Sequence, residues 1–310
     1  MVITMDSERL KQDIMRIKKE RDVAVLAHTY QDPDIIDVAD VTGDSFALSV
    51  AAQALPQKAV VMCGVRFMAD TIKILSPDKL VTLAERHATC PMAEQIAPKR
   101  VAAFKKENPD VAVVAYINTT TELKAECDVC VTSSSAVKIV SQLSQKKILF
   151  LPDQNLGQYV AQQLPDKEIL LWDGCCPVHA QISGEDVAAC KAQYPDAPVL
   201  MHPECRPEAA KQADFLGSTA AIIKQALALP DRQVIIATER GVADYLNREH
   251  PDREFIQLCP EKLTCPNMKR TRLVHVLASV EGVGGDDIYI EEPLRLRAKK
   301  PIDEMIRLGG

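Results

Sequence analysis

The sequence has no apolar stretch approaching the roughly 20 residues of a membrane-spanning helix, so no segment is expected to cross a bilayer. It has no basic excess either. Its 37 Lys and Arg stand against 43 Asp and Glu, and a net charge of −6 gives no field to draw in nucleic acid or an anionic membrane. A small anionic substrate would then need a locally favourable pocket. The N-terminal run MVITMDSERLKQDIMRIKKERD is charged and helix-like, unlike a signal peptide. No linker, low-complexity tract or long charge run interrupts the chain. Ten cysteines in that setting are expected to stay reduced in the cytoplasm, as ligands, nucleophiles or core filler rather than disulfides.

What the chain does have is a repeat. Three Cys-Pro pairs, Cys90-Pro91, Cys176-Pro177 and Cys265-Pro266, lie 86 and 89 residues apart. Each follows an apolar, strand-like run by a few residues and opens a helix-like one. The runs VAVLAHTY, VAVVAYIN and PVLMHPEC keep the same beat and present His28 and Tyr30, Tyr116 and Asn118, and His202 and Glu204. A hydroxyl residue follows 17 positions after the first member of each pair, at Ser45, Ser133 and Thr219. A triplicated unit predicts three similar modules around a common centre, where three thiolates could hold one metal centre.

Short apolar, β-branched runs alternate with helical patterns, which reads as α/β with parallel sheets. Four strands are expected in each unit: 23–30, 36–41, 59–65 and 79–85, then 111–117, 129–133, 147–153 and 168–174, then 198–204, 214–218, 233–238 and 254–260. A helix over about 266–281 takes the place where the first unit lacks its own leading helix, so the end of the chain is expected to pack back onto its beginning. The predicted architecture is three similar three-layer αβα domains with four-stranded parallel sheets, in pseudo-threefold arrangement around a central site. Their expected extents are residues 1–89 with 267–310, residues 90–175, and residues 176–266.

Ligands of open parallel sheets bind beyond the carboxyl ends of the strands, where all three polar sets fall. Residues two apart on a strand point the same way, so each pair shares a direction. Together the six offer donors, acceptors and a proton-transfer group. A single polar pair at a strand end does no more than satisfy loop backbone in many proteins; three pairs in register argue for a site. Ser45, Ser133 and Thr219 are expected to cap helices, worth about 1 kcal/mol each. The same helix ends can bind carboxylates or phosphate. Proline suits the first helical position, which would leave each cysteine at the cap. A thiol there has a lowered pKa, favouring the thiolate that binds metal. Three thiolates suggest an iron–sulfur cluster with one iron left open, since four would saturate a cubane cluster. An open position permits Lewis-acid chemistry. A catalytic zinc site is equally compatible with the bare spacing.

His179, three residues after Cys176, should lie one turn away and near the metal. Cys127-x-x-Cys130 has no second pair to complete a zinc site and reads as core, as do Cys63, Cys175, Cys190 and Cys205. Cys259 also precedes a proline but falls outside the register. His87, His250 and His275 read as surface or helix residues.

The segments AHTYQ (27–31), GDSF (43–46), YINTT (116–120), VTSS (131–134), LPDQNLG (151–157), WDGCCPVH (172–179), HPEC (202–205), GST (217–219), ATERG (237–241), CPNMK (265–269) and AKKPIDEMIRL (298–308) resemble, in this order, the quinolinate synthase family. The resemblance implies three α/β domains and a [4Fe–4S] cluster held by Cys90, Cys176 and Cys265. It implies condensation of iminoaspartate with dihydroxyacetone phosphate to quinolinate, with loss of phosphate and water, for NAD biosynthesis. It also implies functional coupling to L-aspartate oxidase as the source of the imine. On that reading Glu204 is the leading general acid/base, with Tyr30 and His179 as further proton-transfer or positioning groups. His28, Tyr116, Asn118 and His202 would hold the dicarboxylate, and Ser45, Ser133 and Thr219 would grip carboxylates and phosphate. Some members carry extra cysteines near the last ligand; here only Cys259 stands there, so no thiol switch is expected. The residues by themselves leave two other readings open: a cluster-dependent hydro-lyase on another hydroxy acid, and a non-enzymatic metal-binding or electron-transfer protein.

Overall fold

The computed structural model describes residues 2–309; Met1 and Gly310, the ends of the first predicted domain, lie outside the described residues. Helix α1 (Val2–Glu20) leads into β1 (Val23–His28), α2 (Pro33–Val38), β2 (Val41–Gly43), α3 (Ser45–Ala54), β3 (Ala59–Cys63), α4 (Arg66–Leu75) and β4 (Leu80–Leu83). A second module repeats the plan: α5 (Pro98–Glu107), β5 (Ala112–Tyr116), α6 (Thr121–Lys124), β6 (Val129–Val131), α7 (Ala136–Gln142), β7 (Lys147–Leu151), α8 (Gln154–Gln163) and β8 (Glu168–Leu171). The third runs α9 (Gly184–Gln193), β9 (Val199–Met201), α10 (Pro207–Ala210), β10 (Phe215–Leu216), α11 (Thr219–Ala228), β11 (Gln233–Ala237), α12 (Gly241–Glu249) and β12 (Glu254–Gln257). The chain then forms α13 (Leu273–Val280), β13 (Asp286–Asp287) and α14 (Glu292–Gly309).

Strands dominated by Val, Ile, Leu and Ala suit sheets covered by helices on both faces, where no face has to be polar. Val25, Leu26 and Ala27, Val113, Val114 and Ala115, and Ile235, Ile236 and Ala237 are all fully buried. The strand order is the same three times: β2-β1-β3-β4, β6-β5-β7-β8 and β10-β9-β11-β12, parallel throughout. In this order the winding reverses beside the first strand, so the ligand crevice lies past the carboxyl ends of β1, β5 and β9.

One device recurs at the start of each module. Asp40, Asp128 and Asp214 each accept the N–H of the first strand's Val25, Val113 and Val199 at 2.8 Å. Each aspartate is also paired with a lysine of the preceding helix, Lys18 at 2.9 Å, Lys105 at 2.6 Å and Lys191 at 3.2 Å. The aspartate just before the second strand thus fixes the first strand and ties the leading helix to both.

The chain divides into two compact units: residues up to Cys90 with Cys265–Glu292, and Pro91–Thr264 with residues from Pro293 on. In the first, α13 lies beside α1, and Leu273, Val276 and Val280 join Ile14, Val25, Ile35 and Val61 in one buried cluster. In the second, which holds two sheets, Leu308 and Gly309 of α14 accept hydrogen bonds from Gln142 and Lys138.

Several expectations change. The first module has its own leading helix, α1, because Lys18 plays the part of Lys105 and Lys191; α13 is added beside it. The first sheet has five strands, since β13 pairs antiparallel with β4. Residues 36–38 are helical and the second strand begins only at Val41: Pro33 sits at the first helical position after Asp32, and Ile35 and Val38 turn into the core. The Cys-Pro pairs do not open helices. Each is followed by a turn, and α5, α9 and α13 begin eight residues after Cys90, Cys176 and Cys265.

Removing an aspartate that holds a buried strand N–H should cost about 1–3 kcal/mol, the penalty of an orphaned donor. Urea unfolding should therefore show Asp128→Ala clearly destabilised, and Asp128→Asn, which keeps an acceptor for Val113, close to wild type. Equal losses in the two variants would contradict this account.

Candidate active site

Backbone anchoring places the cysteine turns. The carbonyls of Ala88, Gly174 and Leu263, each two residues before its cysteine, accept the N–H of Arg66 (2.9 Å), Gln154 (2.8 Å) and Arg240 (2.8 Å) just past the third strand. Cys90, Cys176 and Cys265 therefore occupy the same position in their modules, and all three are half-buried. Cys63, Cys127, Cys130 and Cys205 are core instead. Burial pushes the thiols of Cys63 and Cys130 up to about 12 and those of Cys127 and Cys205 well above the usual range. Cys259 follows β12 with a left-handed φ of 41°, and burial and Asp186 raise its thiol to about 11.

In the second unit the structure gathers Cys176, His179, Glu204, His202 and Tyr116. Their elements end in this region: Tyr116 closes β5, and His202 and Glu204 follow β9. His179 Nδ1 is 2.8 Å from Glu204 Oε2 and 3.3 Å from Cys176 Sγ, while Nε2 is 3.0 Å from Thr238 Oγ1. An ionised Glu204 only accepts, so the network assigns the ring proton to Nδ1 and leaves Nε2 to accept from the Thr238 hydroxyl. Burial alone would raise the Glu204 carboxyl, but His202, His179 and the Tyr116 hydroxyl outweigh it and hold it at about 2. His202 is itself pushed down to about 4 by burial, so near neutrality it carries no charge. The hydrogen bonds from His179 and Tyr116 are then what keep Glu204 ionised. Asn118 Oδ1 is buried with no hydrogen-bond partner among the described residues, an acceptor left for a ligand.

The first unit carries a parallel arrangement. His28 is buried at the end of β1, and its Nδ1 accepts the Tyr30 N–H at 3.1 Å, as His202 Nδ1 accepts the Glu204 N–H at 3.3 Å. The pairs therefore sit in turns just beyond the strands rather than along them, with the histidine fixing the backbone two residues on. Tyr30 meets His28 edge to face at 4.5 Å. The turn after Cys265 is tied to this loop: Gln31 Nε2 donates to Met268 O at 2.8 Å and Lys269 Nζ to Tyr30 O at 2.6 Å.

The hydroxyls differ from their expected role as caps. Asp44 caps α3 and Ser218 caps α11, which puts Ser45 and Thr219 at the first helical position. Ser133 lies in the turn before α7. The short acceptors Asp44 and Ser218 reach the open N–H groups more directly, so Ser45 and Thr219 are not needed for capping.

The ligand atoms of Cys176, His179 and Glu204 lie within 4.8 Å of one another, a group able to hold a metal ion. Half-buried thiols at one equivalent position per module also suit an iron–sulfur cluster in their donor chemistry. The profile of the family described as Quinolinate synthetase A protein matches residues 12–307. The chain belongs to the quinolinate synthase family. It is 44% identical over 304 residues to the quinolinate synthase of Clostridium kluyveri, covering 98% of this chain and 100% of that one. Identity to the quinolinate synthase of Methanoregula boonei is 41% over 303 residues, 98% and 99% of the two chains. To that of Aquifex aeolicus it is 39% over 308 residues, 97% and 95%. Among the described residues no helix is long and apolar enough to cross a membrane.

In this quinolinate synthase family member, three site-forming residues escaped sequence reading: Thr238, Asp153 and Asn155. Thr238 holds the His179 ring. Asp153, fully buried, accepts the Cys176 N–H at 2.8 Å, and Asn155 Nδ2 donates to Glu204 O at 2.9 Å. Burial and the Glu204 charge push the Asp153 carboxyl well above the usual range. A signal existed: these residues follow β7 and β11 in the register that places the cysteines.

Burial, and then the Lys269 ammonium, push His28 down to about 3 from an ordinary 6.5. As pH falls, the unfolded chain takes up this proton first, so stability declines from about pH 6.5 toward about 3. His28→Gln should lower the slope of unfolding free energy against pH by up to about 1.4 kcal/mol per unit in that window. Urea titrations at a series of pH values read the slope, and no change in it would show that the folded protein carries His28 protonated.

Proposed function

We propose that the chain condenses iminoaspartate with dihydroxyacetone phosphate to quinolinate, releasing phosphate and water, in NAD biosynthesis. The observation that carries this reading is Glu204: a buried carboxylate beyond β9, bonded by His179 and Tyr116, with Cys176 alongside. Family membership supports the reaction, and the quinolinate synthases it resembles align over almost their full length.

Cys90, Cys176 and Cys265 would hold a [4Fe–4S] cluster, one thiolate from each of three modules: residues 1–89 with 267–310, 90–175 and 176–266. When bound, such a cluster supplies Lewis acidity at an iron without a cysteine ligand. The rest of the chemistry falls to side chains. Ring closure and dehydration require repeated proton transfers, and an ionised Glu204 in a dry setting is placed to accept them. His179, with its Nδ1 proton directed at Glu204, can return a proton and steadies the carboxylate between steps. Tyr30 is the second hydroxyl for proton transfer or positioning. His28 and His202, neutral near pH 7 and with Nδ1 already accepting a backbone N–H, offer Nε2–H to a substrate carboxylate. Tyr116 and the Asn118 Nδ2–H group would complete the dicarboxylate's contacts, leaving Asn118 Oδ1 to accept from a substrate N–H or hydroxyl. Ser45 and Thr219, at the first position of ten-residue helices already capped by Asp44 and Ser218, would present their hydroxyls to carboxylate or phosphate. Ser133 would do the same from its turn.

The imine hydrolyses in water, so a functional coupling to L-aspartate oxidase belongs to this reading. A reducing cytoplasm suits the ten cysteines.

Glu204→Gln should keep iron and sulfide content while lowering turnover by about 100-fold or more. Sustained turnover would remove Glu204 from proton transfer. Protein carrying Cys176→Ala, purified without oxygen, should contain little iron or sulfide; a full complement would reject Cys176 as a ligand.

A further inference from the structure

We propose that Asp153 and Asn155, at the start of α8, are positioning residues that set Cys176 and Glu204 against each other. The inference rests on the reading of Cys176 as a cluster ligand and Glu204 as the proton-transfer group, and extends it to the residues that hold them.

Three consecutive residues hold two loops. Asp153 accepts the Leu156 N–H with Oδ1 at 2.8 Å, an ordinary helix cap, and the Cys176 N–H with Oδ2, also at 2.8 Å. Gln154 N–H is bonded to Gly174 O at 2.8 Å, so the Cys176 turn is held on both sides. Asn155, itself buried, donates through Nδ2 to Glu204 O at 2.9 Å. The Cys176 turn lies directly on the backbone before α8, an approach that only glycine allows: a Cβ on Gly174 would stand 2.5 Å from Pro152 O and 2.7 Å from Gln95 Oε1. Gln95 also grips Cys175 on both backbone groups, at 3.0 Å each. The separations of His179 Nδ1 from Cys176 Sγ and from Glu204 Oε2 follow from this bracket.

Comparison with the other modules distinguishes positioning from mere folding. The middle hydrogen bond recurs, from Arg66 to Ala88 and from Arg240 to Leu263. The residues that correspond to Asp153 and Asn155 are Val65 and Phe67 in the first module, and Glu239 and Gly241 in the third. An αβα module of this plan therefore folds without the Asp–Asn pair. The pair is found where the neighbouring loops carry Cys176 and Glu204. Asn155 contributes nothing to capping α8, so its buried amide has no role in the helix that an apolar side chain could not fill.

The two residues act on different partners, which gives separable readouts in the holoprotein. Asp153→Ser keeps an acceptor for Leu156 and loses the reach to Cys176. It should release iron to a chelator, without oxygen, about 10-fold faster than wild type, with an unchanged melting curve. Asn155→Ala should release iron at the wild-type rate and lower kcat about 10-fold at constant KM. If Asp153→Ser melts early, Asp153→Asn, which keeps one acceptor oxygen for the Leu156 cap and puts an amide N–H in place of the oxygen that accepts from Cys176, supplies the iron-release measurement. Iron release within about twofold of wild type in the Asp153 variants overturns the first half, and kcat within about twofold in Asn155→Ala overturns the second. Cys176→Ala is measured beside them: full iron there sinks the ligand reading itself, whereas absent iron there with slow release in the Asp153 variants sinks only the positioning role.

Discussion

The arrangement depends on a backbone hydrogen bond made three times. In each module the N–H of the third residue past the third strand is satisfied by the carbonyl two residues before the cysteine of the Cys-Pro pair. A buried amide at a helix start needs a partner, and here the partner belongs to the loop after the fourth strand. That requirement fixes the loop's position on the sheet regardless of what the cysteine later binds. The thiols are thereby half-exposed at the carboxyl edge of each sheet, rather than packed inward like Cys63 or Cys130.

On that frame the polar chemistry is local and repeated with variation. In two modules a histidine at the end of the first strand accepts the N–H two residues on, which sets one ring tautomer and turns the following side chain, Tyr30 or Glu204, to a defined place. The following turn is then held by the loop of a cysteine: Lys269 holds the Tyr30 carbonyl, Met268 O accepts from the Gln31 side chain, and His179 holds the Glu204 carboxylate. Hydrogen bonds to backbone carbonyls suffice at Tyr30 and Gln31, whereas the charge on Glu204 needs donors from His179 and Tyr116.

The α/β class and the centres of eleven of the twelve predicted strands could be read from β-branched runs, because burial on both faces leaves a continuous apolar signal. Strand ends could not: the first strands stop at His28, Tyr116 and Met201, while the apolar and polar run carries on into the turns that hold Tyr30, Asn118 and Glu204. Residues 36–41 misled for a related reason: Ile35, Ile36 and Val38 fit either period, and Pro33 after Asp32 decides for helix. The Cys-Pro pairs look like helix starts because proline serves turns and first helical positions equally well. At the site, the repeat drew attention to Cys90, Cys176 and Cys265 and to the polar residues at the ends of the first strands. Asp153 and Asn155 follow β7 in the same register, but the backbone groups they bond lie far along the chain, so their place was legible and their partners were not. Thr238 was hidden in the same way.

Helix α13 has a consequence for synthesis. The core that encloses Val25 and Val61 includes Leu273, Val276 and Val280, residues made almost last. As the chain leaves the ribosome, the N-terminal sheet must wait with one side uncovered while the two middle sheets acquire every strand and helix of their own. The segment translated first is therefore completed last, and a ribosome stalled after Thr264 would expose its oldest hydrophobic surface to chaperones and proteases.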